Sequence, residues 1–334
     1  MGPLCWGICS AGKISHDFLV ALKTLPPEEH KVVAIASRDL DRAQEYAQTH
    51  SIPRAYGSYE ELAEDPDVDV AYVGVIPPYH LPAALLFIRA GKNVLCEKPL
   101  GMNATEVEMM VQAAREKKVF LMEALWTRFF PASEKMCSLL RERTVGEPLM
   151  LCAEIGLPPS TPWGMQKALG GGALLSLGIY CVQLACVVFD REKPNSIVAS
   201  GVLSETGVDK VASVILNYSG QRQAVFMYTR MAKMPNRASI TGTKGIIEIP
   251  DPFYSPLRLV VNGQKEDFPL PTAPQKLHYP TSAALSYEAQ HVRQCILQGL
   301  KESPIVSHVD SELVHSILDE IRRQLGVTYP QDHA

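Results

Sequence analysis

The sequence has few of the features that mark specialised protein classes. Its 32 basic and 36 acidic residues are interspersed, with a net charge of -4, so it has no basic patch suited to nucleic acid. Its longest apolar runs, such as residues 81–88, are too short to span a membrane, and its first residues lack the pattern of a secretory signal. We therefore expect a cytoplasmic protein that binds neither nucleic acid nor a membrane.

The cysteines and histidines show no spacing typical of a disulfide framework or a metal site. None of the 8 cysteines belongs to a Cys-x-x-Cys pair, and an even number of cysteines indicates disulfides mainly in short secreted chains. We expect these cysteines to be small buried side chains. Because no cluster of histidine, cysteine and aspartate has metal-ligand spacing, we also expect chemistry that needs no metal.

The length of the chain and the order of its patterns predict two domains. A chain of 334 residues is long enough for two. Over the first 125 residues apolar strands alternate with helical patterns, which predicts a doubly wound parallel sheet with right-handed crossovers. A long apolar helix, about 173–189, is followed by seven strands with tight turns, which predicts a large, mainly antiparallel sheet open on one face. The predicted domains are an α/β domain over 1–127 and an α+β domain over 128–334.

A turn with the pattern of a dinucleotide-binding fingerprint follows the first strand directly. Its three glycine slots hold Ser10, Gly12 and Ser15, so only the middle one, where the backbone must approach a pyrophosphate closely, is a glycine. The amide groups at the start of the next helix would then hold the phosphates. An isolated copy this degenerate would be more simply an ordinary strand–helix turn. Its position in the alternating array favours a Rossmann nucleotide-binding domain, with Ser10, Ala11, Gly12, Lys13 and Ile14 as cofactor residues.

The end of the second strand indicates which dinucleotide is bound. An NAD enzyme usually has an acidic residue there, whereas this sequence has Ser37 and Arg38, with Arg42 one helical turn further on. The hydroxyl can donate to a 2′-phosphate, and the two guanidinium groups can neutralise it. Asp39 is more naturally the N-cap of the next helix. The arginines could also be solvated surface residues, but the pattern favours NADP.

A lysine ends the fourth strand, at the sheet edge where open α/β folds bind ligands. Pro99 restricts the backbone of Lys98 to extended conformations, which fixes how this side chain is presented. The stretch 94–99 resembles the hallmark of the Gfo/Idh/MocA oxidoreductase family, a Glu-Lys-Pro after an apolar strand. Further segments carry the resemblance in order along the chain: Pro77–His80, Gly170–Leu175, Gly242–Gly245 and Tyr287–Ala289.

Other segments are similar to one branch of that family, the enzymes that oxidise trans-dihydrodiols of aromatic hydrocarbons. These segments are residues 56–63, 126–134, 178–183, 205–209 and 326–332. The resemblance implies an NADP-dependent dehydrogenase that converts such dihydrodiols to catechols. It also implies that the enzyme oxidises an aldose, D-xylose, at its anomeric carbon to give the lactone.

The resemblance also implies that Lys98 and Tyr180 form the catalytic pair. Alcohol oxidation needs a base for the hydroxyl proton, and a free phenol, with a pKa of about 10, is not ionised at neutral pH. A lysine cation within ~4 Å would favour the phenolate by a few kcal/mol. The two residues therefore make chemical sense together. The alternatives are a surface lysine after a strand and a core aromatic on an apolar helix.

Ser176 is a departure from the family pattern. The family places an aspartate four residues before the position of Tyr180, on the same helical face, where serine can form only neutral hydrogen bonds. Either the Lys98–Tyr180 pair suffices, or the chain is a catalytically impaired, NADP-binding member of the family. The segment 156–168 also differs from the dihydrodiol enzymes, which leaves another sugar or a cyclic polyol open as the substrate.

The remaining candidates are predicted at the carboxyl edge of the first sheet. His80 is expected near the nicotinamide end of the cofactor, although packing at a helix start would explain it as well. Glu97 could orient Lys98 or be solvated. Pro77, His80, Glu97 and Lys98 complete the predicted cofactor residues, and the predicted substrate residues are Trp126, Arg128, Ser176 and Tyr180.

The open face of the second predicted sheet needs a cover. Apolar residues on that face would make a two-fold symmetric dimer the natural arrangement. We therefore expect a homodimer formed through the C-terminal sheet.

Overall fold

The computed structural model describes residues 2–159 and 162–333. It divides into two compact units. The first unit comprises Met1–Gly101, Thr105–Trp126 and Leu270–His308, and the second comprises Met102–Ala104, Thr127–Pro269 and Val309–Ala334. The chain thus passes from one unit to the other near residue 126 and returns to the first unit at residue 270.

The first unit begins with an alternation of strands and helices: β1 (Leu4–Cys9), α1 (Lys13–Leu22), β2 (His30–Ala36), α2 (Leu40–His50), β3 (Arg54–Tyr56), α3 (Tyr59–Glu64), β4 (Val70–Val73), α4 (His80–Arg89), β5 (Asn93–Glu97), α5 (Ala104–Lys117) and β6 (Leu121–Ala124). The strands form one sheet in the order β3-β2-β1-β4-β5-β6, and all neighbours are parallel. Most strand residues are buried on both faces, as in a parallel sheet covered by helices. The doubly wound fold predicted from the sequence is confirmed.

The N-cap of α2 was predicted from the sequence, whereas strand β3 was not. Asp39 caps α2, because its carboxylate accepts a hydrogen bond from the main-chain N–H of Arg42 at 3.3 Å. This confirms the predicted N-cap. Strand β3 was not predicted, since three residues are too few to show an alternating pattern. It is held in place by an ion pair between Arg54 and Asp65, whose Nε–Oδ2 distance is 2.9 Å.

The second unit contains α6 (Pro131–Arg141), β7 (Pro148–Gly156), α7 (Ile179–Val188), β8 (Ser196–Leu203), β9 (Asp209–Tyr218), β10 (Arg222–Thr229), β11 (Ala238–Gly242), β12 (Gly245–Ile249), β13 (Arg258–Val261) and β14 (Gln264–Asp267), and α9 (His308–Leu325) follows near the end of the chain. Its strands form an eight-stranded sheet in the order β14-β13-β12-β11-β7-β10-β9-β8. All neighbours are antiparallel except β7 and β10, because β7 lies between two groups of strands that come later in the chain. The predicted mainly antiparallel sheet is confirmed.

One face of this second sheet is exposed in the single chain. Buried and exposed residues alternate along β9 and β10, and α7 packs against β7. On the open face, Val198 is 53% exposed, Val202 59% and Met227 41%. Val225 pairs with Ile215, and Ile215 pairs with Val198, so apolar side chains form a row across three strands.

The two edges of the second sheet are both protected, by different means. At β8, Gln324 of α9 binds two of the free main-chain groups: its Nε2 donates to the carbonyl of Ile197, and its Oε1 accepts from the N–H of Ala199, both at 2.8 Å. At the other edge, β14 consists of four exposed polar residues, three of them charged.

The longest apolar helical stretch runs from Lys167 to Val188. Its length and apolar composition would allow it to cross a membrane, which no continuous apolar run in the sequence indicates. However, 89% of this stretch is buried inside the protein, as is usual for the central helix of a folded domain. It includes a π-helical turn at Leu174–Gly178, directly before α7.

The segment Leu270–His308 packs with the first unit, which differs from the predicted domain division. Helix α8 (Leu285–Leu297) lies against α1. The buried carboxylate of Asp17 on α1 accepts hydrogen bonds from the main-chain N–H groups of His278 and Tyr279, each at 2.8 Å. The sequence placed this segment in the second domain because nothing marks a boundary after the last strand, and the contacts that fix it are about 260 residues away in the chain.

Candidate active site

The turn between β1 and α1 has the geometry that the fingerprint requires. Ser10, in the first glycine slot, has a φ of 101°, a conformation that favours glycine. A Cβ on Gly12 would lie 3.5 Å or more from any neighbouring atom, so packing within the protein does not demand a glycine there. Among the described residues, no side chain caps the N-terminus of α1. Its first amide groups can therefore hold the phosphates of a dinucleotide.

A cleft of about 250 Å³ opens beside this turn, lined by Ser10, Ala11, Gly12, Ser37, Arg38, Asp39, Arg42 and Tyr59. The structure thus brings together the two stretches that the sequence assigned to the cofactor. Arg42 donates from Nε to the carbonyl of Ala11 at 2.8 Å, which connects the first turn of α2 to the turn after β1. The hydroxyl of Ser37 accepts from the N–H of Asp39 at 3.3 Å, so its own hydrogen can be donated to a ligand. These residues fit a phosphorylated dinucleotide.

Tyr59 is a member of this cleft that the sequence reasoning missed. It is the first residue of α3, and burial raises the pKa of its phenol to about 12, so the phenol is neutral near pH 7. Its place after a capping serine, Ser58, was the available signal, since helix starts at this sheet edge face the ligand.

The loops after β4 hold two predicted cofactor residues. Pro77 begins a short 3-10 turn that ends at Tyr79, and the guanidinium carbon of Arg38 lies 5.4 Å from the centre of the Tyr79 ring. His80 is buried, with Nδ1 2.7 Å from the carbonyl of Pro99 and Nε2 2.9 Å from the carbonyl of Val75. Both of its nitrogens therefore contact the main chain, which favours the alternative in which His80 fixes these loops.

Glu97 and Lys98 lie at the carboxyl end of β5. The carboxylate of Glu97 accepts a hydrogen bond from the hydroxyl of Tyr72 at 2.7 Å and one from the main-chain N–H of Lys98 at 3.2 Å. Burial raises the pKa of Glu97, and the two hydrogen-bond donors oppose this effect. Glu97 is thus not solvated, and it holds the backbone at Lys98, whose peptide bond to Pro99 is cis.

Ser176 and Tyr180 belong to the second unit, on either side of the start of α7. Ser176 lies in the π-helical turn, where its hydroxyl donates to the carbonyl of Gly172 and accepts from Nε of Arg230 at 3.1 Å. Turns of this type are frequent at functional sites. Tyr180 is 6% exposed, and its ring centre lies 5.6 Å from that of Tyr254. Arg230, directly after β10, was not found from the sequence, because its partner is 54 residues away.

The two predicted substrate residues near residue 126 have different surroundings. Trp126 is half-buried and opens a 3-10 turn at the end of the first unit. Arg128 is in the second unit, where its Nη1 lies 3.9 Å from the carboxylate of Asp310. Arg191 also binds this carboxylate, at 2.7 Å. Arg128 thus takes part in a largely buried ion-pair cluster, a structural role that the sequence did not predict.

The stretch 156–168, which differs from the dihydrodiol enzymes, is described only in part. Ser160 and Thr161 lie outside the described residues, and the side chains of Pro162 and Trp163 are not described. The pairing of Lys98 with Tyr180 stays a prediction, since they belong to different units.

A parallel sheet in this strand order, with a cleft beside an uncapped helix start, is the architecture of a dinucleotide-binding oxidoreductase. Two family models match the chain: "Oxidoreductase family, NAD-binding Rossmann fold" over residues 4–125, and "GFO/IDH/MocA C-terminal domain" over residues 133–248. The chain therefore belongs to the Gfo/Idh/MocA oxidoreductase family, as its resemblance indicated.

The chain is similar over nearly its whole length to relatives called trans-1,2-dihydrobenzene-1,2-diol dehydrogenase. The protein from Xenopus tropicalis is 55% identical over 326 residues, which is 97% of this chain and 99% of the relative. That from Danio rerio is 56% identical over 330 residues, or 98% and 99%. The protein from Homo sapiens is 49% identical over 330 residues, with the same coverage.

Solved structures agree on the fold. KijD10, a 3-ketoreductase from Actinomadura kijaniata solved with NADP and TDP-benzene, has a TM-score of 0.79 at 26% identity, covering 96% of this chain and 98% of its own. An aldose-aldose oxidoreductase from Caulobacter crescentus, solved with glycerol, has a TM-score of 0.83 at 23% identity, covering 97% and 98%. The second likeness shows the fold alone.

Proposed function

We propose that this oxidoreductase is an NADP-dependent dehydrogenase that oxidises trans-dihydrodiols of aromatic hydrocarbons to catechols. The observation that carries the proposal is the near full-length similarity, at 49–56% identity, to relatives named for this reaction. D-xylose is proposed as a second substrate, oxidised at its anomeric carbon. Both reactions remove a hydride from carbon and a proton from the hydroxyl group that it bears.

The preference for NADP is supported by the charge of the cleft. Arg38 and Arg42 line it together with the Ser37 hydroxyl. Among the described residues the only carboxylate in the lining is that of Asp39, which already accepts a hydrogen bond as the cap of α2. A 2′-phosphate would therefore meet two cations and a donor, whereas a free ribose hydroxyl would find no uncommitted carboxylate.

Lys98 and Tyr180 are proposed to move the proton. NADP, when bound, accepts the hydride. Tyr180, as a phenolate stabilised by the Lys98 cation, takes the hydroxyl proton of the substrate. From a dihydrodiol the loss of one hydride and one proton gives a hydroxyketone, which becomes a catechol by moving one proton from carbon to oxygen. Variants of KijD10 that replace one lysine and one tyrosine have been solved, which are the two residue types proposed here.

A second candidate function follows from the surroundings of Ser176. The family aspartate would bring a charge to this position, whereas Ser176 forms hydrogen bonds with Gly172 and Arg230. If a carboxylate is needed for turnover, this chain is an NADP-binding member that is impaired in catalysis. A dehydrogenase or reductase that acts on another sugar or a cyclic polyol is the third candidate.

The oligomeric state and the cellular location of the protein are also part of the proposal, and the surface of the second sheet bears on the first of them. The row of exposed Val198 and half-buried Ile215 and Val225 on the open sheet face is a surface that a second copy could cover. We propose a homodimer through this face in the cytoplasm, with a small molecule as its substrate.

Substrate oxidation in the presence of NADP tests the proposal. Purified protein is mixed with NADP and either benzene dihydrodiol or D-xylose, and formation of NADPH is followed by its absorbance. We expect turnover with the dihydrodiol. If neither substrate is oxidised but Ser176→Asp restores oxidation, the impaired-enzyme candidate is supported instead. If a panel of other sugars and polyols is oxidised while these two are not, the third candidate is correct.

A further inference from the structure

Three imidazoles and one buried carboxylate meet in the first unit, outside the cofactor cleft. His16 and Asp17 are on α1, His50 is the last residue of α2, and His278 lies in the returning segment Leu270–His308. His16 and Asp17 are adjacent, but the other two residues are far away in the chain. The spacing of these residues along the chain therefore did not indicate a metal site, although the fold brings these potential ligands into one unit.

His16 is the member of the group that contacts the other two histidines. Its Nδ1 lies 3.0 Å from His50 Nε2. The centre of its ring lies 4.8 Å from that of His50 and 4.9 Å from that of His278. One ligand atom each from His16, Asp17 and His278 lie within 4.8 Å of one another.

The hydrogen bonds of His16 leave one of its nitrogens as a ligand. Its Nε2 lies 2.9 Å from the carbonyl of Lys276, which can only accept, so Nε2 carries the hydrogen. In the neutral ring Nδ1 then accepts a hydrogen bond from His50 Nε2, and its electron pair is the one that a metal ion between the two rings would use. An imidazole that donates to a carbonyl through its second nitrogen is the usual arrangement of a metal-binding histidine.

His50 has an imperfect environment as it stands. It is 5% exposed, its Nε2 contacts His16, and among the described residues its buried Nδ1 has no hydrogen-bond partner. The contact with His16 is therefore the only hydrogen bond of the His50 ring among the described residues, which leaves this ring available to a metal ion.

Asp17 brings His278 to the group and supplies negative charge. Its two carboxylate oxygens accept from the N–H groups of His278 and Tyr279, which fixes the returning segment beside α1. Each oxygen keeps a further electron pair.

We propose that His16, His50 and His278, with Asp17, form a binding site for a divalent transition metal of the zinc class. Imidazoles suit Zn²⁺, Cu²⁺ and Ni²⁺, and three histidines with one carboxylate complete a tetrahedral set. Two nitrogens that bind one Zn²⁺ tetrahedrally lie about 3.3 Å apart, close to the 3.0 Å between His16 and His50. The ion would connect α1, α2 and the returning segment, which makes it a structural ion that takes no part in hydride transfer.

Binding of Zn²⁺ alone tests this site. Tag-free protein treated with a chelator is titrated with Zn²⁺ in a calorimeter, and its melting temperature is followed as Zn²⁺ is added. We expect one Zn²⁺ per chain and a melting temperature that rises with the free metal concentration. Anomalous scattering from a crystal soaked in Zn²⁺ should place the ion between His16 and His278.

Matched variants make the test specific. His278→Ala and His50→Ala are expected to weaken Zn²⁺ binding at least ~10-fold. His333→Ala, which removes an exposed histidine near the C-terminus, should change nothing. Since His278 is exposed, its variant is expected to fold even if His50→Ala does not. Absence of binding in the parent protein, unchanged affinity in His278→Ala, or an ion located at other residues would each overturn the proposal, leaving a hydrogen-bonded histidine pair.

Discussion

The two sheets of the molecule differ in how their faces are used. The strands of the first sheet are buried on both faces, and its ligand-binding groups are turns and strand ends along one edge. The second sheet carries apolar residues on an open face, and its candidate groups, Ser176 and Tyr180, lie on a helical segment instead. The groups of the first unit are therefore held by strands that are themselves buried. Those of the second unit are carried by a helical segment that packs against one face of its sheet, while the other face stays open.

The largest expected effect belongs to a tyrosine of the second unit. Tyr180→Phe removes the proposed base, so kcat for the dihydrodiol should fall by roughly 10²–10⁴-fold. Tyr254→Phe is the matched control, because its ring is a direct neighbour of Tyr180 and it has no proposed role in proton transfer. Steady-state kinetics with NADP measures both. Equal losses in the two variants would mean that Tyr180 acts through packing alone.

The corresponding variant in the first unit should affect the cofactor only. Arg38→Ala removes one charge facing the proposed 2′-phosphate, and a charge-assisted hydrogen bond is worth about 1.5–3 kcal/mol, so KM for NADP should rise roughly 10–100-fold. KM for NAD and kcat should change little. Arg89→Ala, at the exposed end of α4, serves as the control. A parallel rise for NAD would show that Arg38 does not discriminate the phosphate.

The proposed dimer interface on the open face can be disrupted by substitutions that lie outside the cofactor cleft and away from Ser176 and Tyr180. Val198→Glu with Val202→Glu places two charges where a second copy would bury apolar side chains, so dimer affinity should fall at least ~10-fold. Light scattering after size exclusion reports the mass of the particle. Met109→Glu, an exposed methionine of α5 in the first unit, should leave the mass unchanged. A parent protein that is already a monomer would refute the proposed interface.

Ser176 should have a smaller effect if the Lys98–Tyr180 pair suffices. In Ser176→Asp the new carboxylate lies beside Arg230 and can form an ion pair with it. Because that carboxylate is then paired and the proposed base is unchanged, kcat should change by less than ~10-fold. Ser176→Ala removes the hydroxyl without adding charge and controls for the lost hydrogen bonds. A gain of several orders of magnitude in the aspartate variant would show that the parent enzyme is impaired.

The smallest expected effect is on stability in acid, and it arises in the first unit. Burial lowers the pKa of His291 from 6.5 to about 4. As the pH falls from about 6.5 to about 4, the unfolded chain takes up this proton and the folded one does not, so stability declines over that window. The free energy of unfolding is measured with urea at several pH values. In His291→Gln its slope against pH should become smaller, by an amount that corresponds to less than one proton. His333→Gln should leave the slope as it is, and an unchanged slope in His291→Gln would contradict the assignment.

The sequence was most informative where the chemistry depends on neighbours in the chain. Ser10–Ile14, Asp39 and Glu97–Lys98 are contiguous with the strands that present them, and residues 196–268 show alternation and turns strand by strand. Arg230 and the His16–His50–His278 group could not be predicted, because each contact joins residues tens to hundreds of positions apart. The same reason explains why the sequence did not predict that Leu270–His308 packs with the first unit.

The protected edges of the second sheet limit the addition of strands from other molecules. At one end Gln324 binds two of the main-chain groups that an added strand would use, and at the other β14 presents a row of charged and polar side chains. Strand addition is therefore disfavoured at both ends. In the proposed homodimer each copy would cover the open face of the other, so such an assembly would be closed and would not extend into fibres.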